Sequence, residues 1–211
     1  MQTKLRSTSS PSAFTLLEMM LSVAIFVLLA TSAFTLVGAT TELMTEVSEV
    51  QNESAVRMRF VETCRAAFES TTANSTVEFF YAERGAGRYD TYLSIVNAPE
   101  AFDFGMNLRD EIQRVVLAAE IQSSGFIRSG VYYMTAADFE IARETNFAKI
   151  EAPYVELIPQ MRQLSWRFYD DRAREWRQTL DGNFETSLIE LTLQTGGGSV
   201  PLRSVFWHLN S

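Results

Sequence analysis

The sequence predicts an α+β fold, in which one long N-terminal helix is followed by a domain rich in antiparallel β-strands. A 25-residue segment, residues 14–38, is predominantly apolar and contains a single charged side chain. Apolar residues then recur at intervals of three and four, the spacing of an amphipathic helix. In the last third of the 211-residue chain they alternate with polar residues, as in half-buried strands. Enough residues follow the apolar segment for one domain with its own core.

The apolar segment is long enough to cross a membrane, since about 20 residues suffice for a spanning helix. Residues 1–13 ahead of it are polar and contain Lys4 and Arg6 but no acidic residue. The one charge inside the segment is Glu18. An ionisable side chain near the centre of a membrane helix costs about 2.5–3.5 kcal/mol, so it indicates a functional role. We therefore predict a transmembrane helix at residues 14–38 and a role for Glu18.

The distribution of basic residues predicts the orientation of the chain in the membrane. After Lys4 and Arg6, the next basic residue is Arg57. Because positive charge is retained on the cytoplasmic side, the N-terminus is expected there. Everything after about residue 40 is then expected on the other side of the membrane.

Residues 39–70 are predicted to continue the same helix with one apolar stripe. The chain has no proline between Ser12 and Ala98. The stripe consists of Leu43, Val47, Val50, Ser54, Met58, Val61, Cys64 and Phe68. A helix with one apolar stripe buries it, so we expect the folded domain to cover these residues. Two helices broken near residues 38–40 are the alternative.

Residues 71–211 are predicted to form the β-rich domain. Strands are expected at residues 77–81, 91–96, 126–134, 164–169 and 189–194, with a polar turn at residues 170–174 and a last strand through Val205, Trp207 and Leu209. Residues 108–122 and 138–145 fit either a helix or a strand. The apolar face of the C-terminal strands is the expected cover for the stripe on the helix.

The composition excludes several classes of function. A formal charge of −8 argues against nucleic-acid binding, which requires a basic surface. With one histidine and one cysteine, no histidine-based triad or multi-His/Cys metal cluster can form. We expect His208 at the surface or on an edge strand, and Cys64 as a buried small apolar residue. The chain is therefore expected to be neither an enzyme nor a cofactor-binding protein.

Two further features are interpreted as local structure. Asp170 and Asp171 are typical of a turn, because an aspartate side chain accepts hydrogen bonds from backbone two residues further on. The three glycines at residues 196–198 lack the lysine and helix of a phosphate-binding loop, so they are expected to connect two strands.

The basic leader ends in a small residue, Phe14 follows it, and Glu18 is the fifth residue counted from Phe14. This pattern resembles the signal of type IV prepilins, in which Phe14 would be the first residue of the mature chain. The resemblance implies that a prepilin peptidase cuts between Ala13 and Phe14 and methylates the new N-terminus at Phe14. The family has glycine where this chain has Ala13. It also implies an assembly role for Glu18, which can pair with the Phe14 ammonium of an adjacent subunit.

Two other interpretations of the N-terminus remain open. A secretory signal peptide would use Thr31 and Ala33 as a weak cleavage site. A plain signal anchor would hold a ligand-binding domain at the membrane. Neither gives a reason for the acid at Glu18.

The C-terminal third contains three segments in succession, QMRQLSWRFYDDRAREWRQTL, SLIELTLQT and SVFWHL. This succession resembles the C-terminal strands of the minor pseudopilin J family of type II secretion systems. Tyr169 and Asp170 match the end of an aromatic strand, Trp176 matches the tryptophan after it, and residues 188–193 match the apolar strand that follows.

This second resemblance implies a pilin-like fold and a place at the tip of a periplasmic pseudopilus that exports folded proteins. The implied partners are the I-type and K-type minor pseudopilins, the major pseudopilin, the prepilin peptidase and inner-membrane lipid. The chain would cross the inner membrane once, with residues 71–211 in the periplasm. A minor pilin of a type IV or competence pilus is the alternative. The single cysteine favours secretion, because surface pilins often have a C-terminal disulfide.

Overall fold

The computed structural model describes residues 15–72, 74–85, 87–98, 100–105, 112–180, 186–196 and 200–208. The chain divides into two compact units, Met1–Gln51 and Asn52–Ser211. Helix α1, Leu16–Glu69, contributes to both units. The predicted α+β fold is confirmed: the helix is long and N-terminal, and its last turns pack on antiparallel β-sheets.

Helix α1 is continuous over 54 residues, so the alternative of two helices broken near residues 38–40 is wrong. Gly38 lies inside the helix without any interruption of the helical hydrogen bonding. The absence of proline in this stretch explains the continuity, because one glycine costs only about 1 kcal/mol in a helix interior.

The apolar stripe of α1 is buried only in its last part, which corrects the expectation for its first part. Phe60, Val61, Cys64, Ala67 and Phe68 are buried, whereas Leu43, Val47, Val50 and Met58 are exposed. The periodicity identifies the apolar face but not how far a sheet extends along it. A strand of six residues is about 20 Å long, so it can cover only about 13 residues of a helix that runs along it.

The first sheet is a five-stranded antiparallel meander. Its strands are β1 (Thr76–Gly85), β2 (Arg88–Val96), β3 (Arg114–Ile121), β4 (Ile127–Met134) and β5 (Tyr154–Met161), in that spatial order. The region that fitted either state, residues 108–122, contributes β3. Helix α2, Ala136–Glu144, accounts for the other ambiguous region. Thr135 caps α2, since its Oγ1 accepts a 3.1 Å hydrogen bond from the Asp138 amide.

The second sheet has four antiparallel strands. They are β6 (Gln163–Asp170), β7 (Glu175–Arg177), β8 (Thr186–Gln194) and β9 (Leu202–Trp207), in the order β7-β6-β8-β9. The predicted strands at residues 164–169 and 189–194 are confirmed as parts of β6 and β8. Leu209 and residues 197–199 of the glycine-rich connection lie outside the described residues.

Two apolar cores result from the alternation of side chains along the strands. The larger core joins the last turns of α1 to one face of each sheet. At its centre the Phe68 ring lies 6.1 Å from Trp166 of β6 and 5.4 Å from Phe206 of β9, measured between ring centroids. The smaller core lies on the opposite face of the first sheet, where α2 and the 3-10 helix Phe147–Lys149 cover Tyr92 and Tyr132.

Candidate assembly site

The predicted processing site lies outside the described residues, which begin at Thr15. Ala13 and Phe14 are therefore not described. Glu18 is described and lies in the first turn of α1, with its side chain exposed. Its backbone amide donates hydrogen bonds to the Thr15 carbonyl at 3.0 Å and to the Thr15 hydroxyl at 3.4 Å. An acid in the first turn is favoured by the partial positive charge at the helix N-terminus.

The first half of α1 presents an apolar surface on all sides. The exposed apolar side chains are Leu16, Leu17, Met19, Met20, Leu21, Val23, Ile25, Phe26, Val27, Leu28, Leu29, Phe34, Leu36 and Val37. This part of the helix is long and apolar enough to cross a membrane. An apolar surface of this size is stable only against lipid or against other apolar helices.

Hydroxyl groups within this apolar segment are satisfied inside the helix. The Ser22 hydroxyl donates to the Glu18 carbonyl at 2.8 Å, and Thr31 and Ser32 donate in the same way to Val27 and Leu28. Thr35, Thr40 and Thr41 repeat the pattern. Each hydroxyl thus has a partner four residues back, so it can enter an apolar environment without an unpaired donor.

One face of this helix combines small side chains with leucines. Ala24, Thr31, Thr35 and Ala39 recur at intervals of four and seven, and Leu28 lies between them. Small residues at this spacing let a second helix approach closely in lipid. The face is therefore suited to contact with a neighbouring helix.

The C-terminal residues that carry the second resemblance lie together in the second sheet. Tyr169 and Trp176 pair across β6 and β7, with ring centroids 5.3 Å apart. Asp170 accepts hydrogen bonds from the amides of Arg172 and Ala173 at 3.0 and 2.9 Å, as expected for a turn. Arg177 completes the turn with a 3.0 Å ion pair to Asp170. These contacts give the residues a structural role.

Glu53 and Arg57 of α1 make long-range contacts with the second sheet. Thr195 donates its hydroxyl proton to Glu53, and Arg57 donates to the Val200 carbonyl at 2.9 Å. Both side chains thus tie α1 to the connection between β8 and β9.

His208 is buried, so a surface position is wrong, whereas it directly follows edge strand β9, near the other position that was expected. Its side chain is 3% exposed, and its Nδ1 lies 3.4 Å from the Thr71 hydroxyl. The residue follows edge strand β9 and lies against Thr71, two residues beyond the end of α1, where it is buried. The expectation for Cys64 is confirmed, since it is fully buried and burial raises the pKa of its thiol.

A buried polar cluster on the first sheet was not anticipated from the sequence. Glu120 accepts from Arg128 at 2.6 Å, from Tyr132 at 3.1 Å and from Tyr92 at 3.4 Å. Asp90 of the next strand accepts from Arg84 at 2.6 Å and from the Ile121 amide at 2.7 Å. The only signal in the sequence is at Glu120, which follows five consecutive apolar residues of β3.

The electrostatics of this cluster follow from its burial. Burial raises the pKa of Asp90, and the negative charge of Glu120 adds to this, while the Ile121 amide and Arg84 act in the opposite direction. The hydrogen bond to Glu120 raises the pKa of Arg128. Burial also raises the pKa of Tyr92 and Tyr132, and Glu120 contributes to both shifts. Each carboxylate is held by one arginine, so the cluster links neighbouring strands of the first sheet.

Among the described residues, no group of three or more His, Cys, Asp or Glu side chains is arranged to hold a metal ion. The candidate site for function is therefore the apolar, Glu18-containing part of α1. Comparison of the chain with protein-family models and with curated proteins found no match.

Proposed function

We propose that the chain is a minor pseudopilin of a type II secretion system, which assembles at the tip of a periplasmic pseudopilus and helps to export folded proteins. The observation that carries the proposal is Glu18, an acid in the first turn of an otherwise uncharged apolar helix surface. The prepilin-type signal around it, and the aromatic C-terminal strands with their Tyr169-Asp170 turn, support the same assignment.

In the proposed mechanism, cleavage after Ala13 frees the amino group of Phe14, which the peptidase then methylates. Parallel packing of apolar helices brings this ammonium close to Glu18 of an adjacent subunit. In a low-dielectric bundle the attraction between the two charges is strong, but their desolvation is also costly. We infer that the ion pair sets the axial register between subunits, while apolar side chains such as Met19 and Phe26 supply the adhesion.

Substitution at Glu18 tests this mechanism. Glu18→Ala should leave insertion in the inner membrane unchanged and reduce co-purification with the I-type, K-type and major pseudopilins about tenfold or more, since loss of the pairing partner leaves a buried ammonium unpaired. Glu42→Ala, further along the same exposed helix, is the matched control and should assemble normally. Full assembly of Glu18→Ala would contradict the assigned role.

The N-terminal residue of the mature protein tests the assignment to the prepilin class. Mass spectrometry should find a chain that begins at methylated Phe14 in cells with an active prepilin peptidase, and the full leader in cells without it. A mature N-terminus after Ala33 would instead identify a secretory signal peptide. Co-purification with pilus subunits in place of pseudopilins would identify the alternative, a minor pilin.

A further inference from the structure

Strand β9 leaves one edge of the second sheet open. It is the last strand in the order β7-β6-β8-β9, and no strand of the described residues lies beyond it. It pairs with β8 over six residues without a register shift. An open edge of this kind presents unpaired backbone groups, to which another strand can add.

The phase of the hydrogen bonds identifies which residues of β9 face the open edge. The His208 amide donates to the Ser187 carbonyl at 2.9 Å, one step beyond the pair of Trp207 with Leu188. Hydrogen-bonded pairs alternate along an antiparallel ladder, so Ser204 and Phe206 also bond to β8. Arg203, Val205 and Trp207 therefore direct their backbone N–H and C=O groups toward the open edge.

The same three residues expose their side chains on the outer face of the second sheet, which is the face opposite to the one that Phe206 packs against α1. Val205 is 45% exposed and Trp207 is 72% exposed, and Arg203 is also exposed. Natural edge strands are commonly protected by proline, a bulge or several charges. Within β9 the only such feature is the charge of Arg203.

The direction of β9 argues against a second copy of this chain as the occupant of the edge. Successive contacts show that β9 runs in the same direction as the last turns of α1, from Arg57 at Val200, through Phe68 at Phe206, to Thr71 at His208. Antiparallel pairing of two β9 strands would set the last turns of their α1 helices antiparallel, whereas the proposed assembly packs these helices in parallel.

Parallel pairing of two copies also leaves the exposed side chains without partners. Two β9 strands that pair in parallel must be related by a half-turn about an axis along the strands, because each β9 has only one open edge. That rotation turns the two outer faces to opposite sides of the joined sheet. Val205 and Trp207 of one copy would then not meet the same residues of the other.

We propose that the open edge of β9, at Arg203, Val205 and Trp207, binds an extended strand of a different protein. The recognised strand carries an acidic side chain beside Arg203 and apolar side chains beside Val205 and Trp207. Backbone hydrogen bonds supply affinity, and the alternate side chains supply specificity. The inference rests on the proposed function only for the parallel helix packing that argues against a second copy.

Titration of the full chain in detergent with a synthetic peptide tests this surface. The probe is a short peptide that alternates threonine with glutamate, valine and leucine, synthesised with the forward and with the reversed sequence. A non-alternating peptide of the same composition is the control. Amide hydrogen exchange, followed by NMR, should slow at Arg203, Val205 and Trp207 with the alternating peptide only. No slowing at millimolar peptide, or equal slowing with the control peptide, would overturn the proposal.

Two variants separate backbone pairing from side-chain contact. V205P removes one edge-facing N–H without removing a hydrogen bond to β8, so the fold should be retained and binding should weaken about tenfold. Val205→Thr keeps the N–H and the shape and should bind within about threefold of the wild type. Arg203→Glu should weaken binding of the glutamate peptide. A peptide with lysine in place of that glutamate should bind the variant again. Unchanged binding by V205P overturns the proposal.

The oligomeric state in the same detergent provides an independent check. We expect sedimentation to show the same species for the wild type and V205P. A wild-type dimer that V205P dissociates would identify a second copy as the occupant and overturn the proposal. A chain that begins at Phe14 but does not bind the peptide contradicts only this inference, whereas a chain that binds it but keeps its leader contradicts only the proposed function.

Discussion

At the scale of single residues, Glu120 makes the densest set of polar contacts in the smaller core. The carboxylate is 2% exposed and joins β2, β3 and β4 through Tyr92, Arg128 and Tyr132. Hydrogen bonds to a buried charge are stronger than those between neutral groups, and loss of the charge leaves its partners unsatisfied. Glu120 is therefore expected to stabilise the first sheet.

Glu120→Gln should lower the free energy of unfolding by about 2–4 kcal/mol, because the ion pair with Arg128 is lost and an amide donor faces the donors of Arg128 and the tyrosines. Denaturant unfolding of the folded unit, monitored by near-UV circular dichroism, measures the change. Glu144→Gln on the exposed surface of α2 is the matched control and should change stability by less than about 0.5 kcal/mol. Equal effects of the two substitutions would contradict the role of Glu120.

Asp90 gives a prediction for the pH dependence of stability. Its pKa is raised in the folded state, with burial as the largest cause, so the folded protein binds a proton more tightly than the unfolded chain. The contribution of this group is therefore fully present below its unfolded pKa of about 3.9 and is lost as the pH rises through the folded value.

Asp90→Asn removes this titration while its side-chain oxygen can still accept from the Ile121 amide. The stability of the variant relative to the wild type should therefore increase as the pH rises from about 4 toward neutrality. Parallel denaturant titrations of both proteins at several pH values measure this difference and cancel the other carboxylates. A difference that stays constant, or that decreases with pH, would contradict the raised pKa of Asp90.

At the scale of the elements, the contact between α1 and the second sheet depends on a few aromatic side chains. Phe68 is 1% exposed and lies against Trp166 and Phe206, one on each of two strands. Met58, ten residues earlier on the same helix, is 52% exposed. The two positions thus differ in burial although they share one helix.

Phe68→Ala should lower the free energy of unfolding by about 3–5 kcal/mol, since it removes a buried ring and leaves a cavity between α1 and two strands. Met58→Ala should lower it by less than about 1 kcal/mol, because little buried surface is lost. Chemical denaturation of the two variants in parallel gives both values. A loss at Met58 as large as that at Phe68 would show that the buried part of α1 begins earlier than residue 60.

How well the sequence predicted each element depends on its burial. Strands β6 and β8 each have one polar face, so alternation identified them. Strand β3 is covered on both faces, with six consecutive buried residues, and a continuous apolar run does not distinguish a strand from a helix. Helix α2 buries only Phe139 and Ala142, too few residues to establish a helical period. The division into two sheets depends on long-range pairing, which no local pattern encodes.

The candidate sites differ in the same way. Glu18 could be found from the sequence because its charge stands alone in an apolar segment. Asp90 and Glu120 could not, because their proximity depends on the register between β2 and β3, where Thr91 pairs with Ala119. The open edge of β9 likewise depends on the strand order and on the phase of its hydrogen bonds. Local chemistry is visible in the sequence, whereas contacts between strands are not.

At the scale of the whole molecule, the orientation in the membrane can be tested with the single native cysteine. Cys64 is fully buried and its thiol has a raised pKa, so the folded wild-type chain should not react with a maleimide. Glu140 of α2 is exposed. Glu140→Cys therefore introduces one accessible thiol into the folded unit, and the wild type serves as the matched control.

In cells with a permeabilised outer membrane, a membrane-impermeant maleimide should label Glu140→Cys and leave the wild type unlabelled, because the proposed function places the folded unit in the periplasm and the basic residues Lys4 and Arg6 predict a cytoplasmic N-terminus. Unfolding in denaturant should expose Cys64 and allow labelling of both proteins, which shows that the absence of a signal in folded wild type results from burial. Labelling of Glu140→Cys only after the inner membrane is lysed would show that the chain has the opposite orientation. A reversed orientation would also contradict the proposed function, since a folded unit in the cytoplasm could not join a periplasmic fibre.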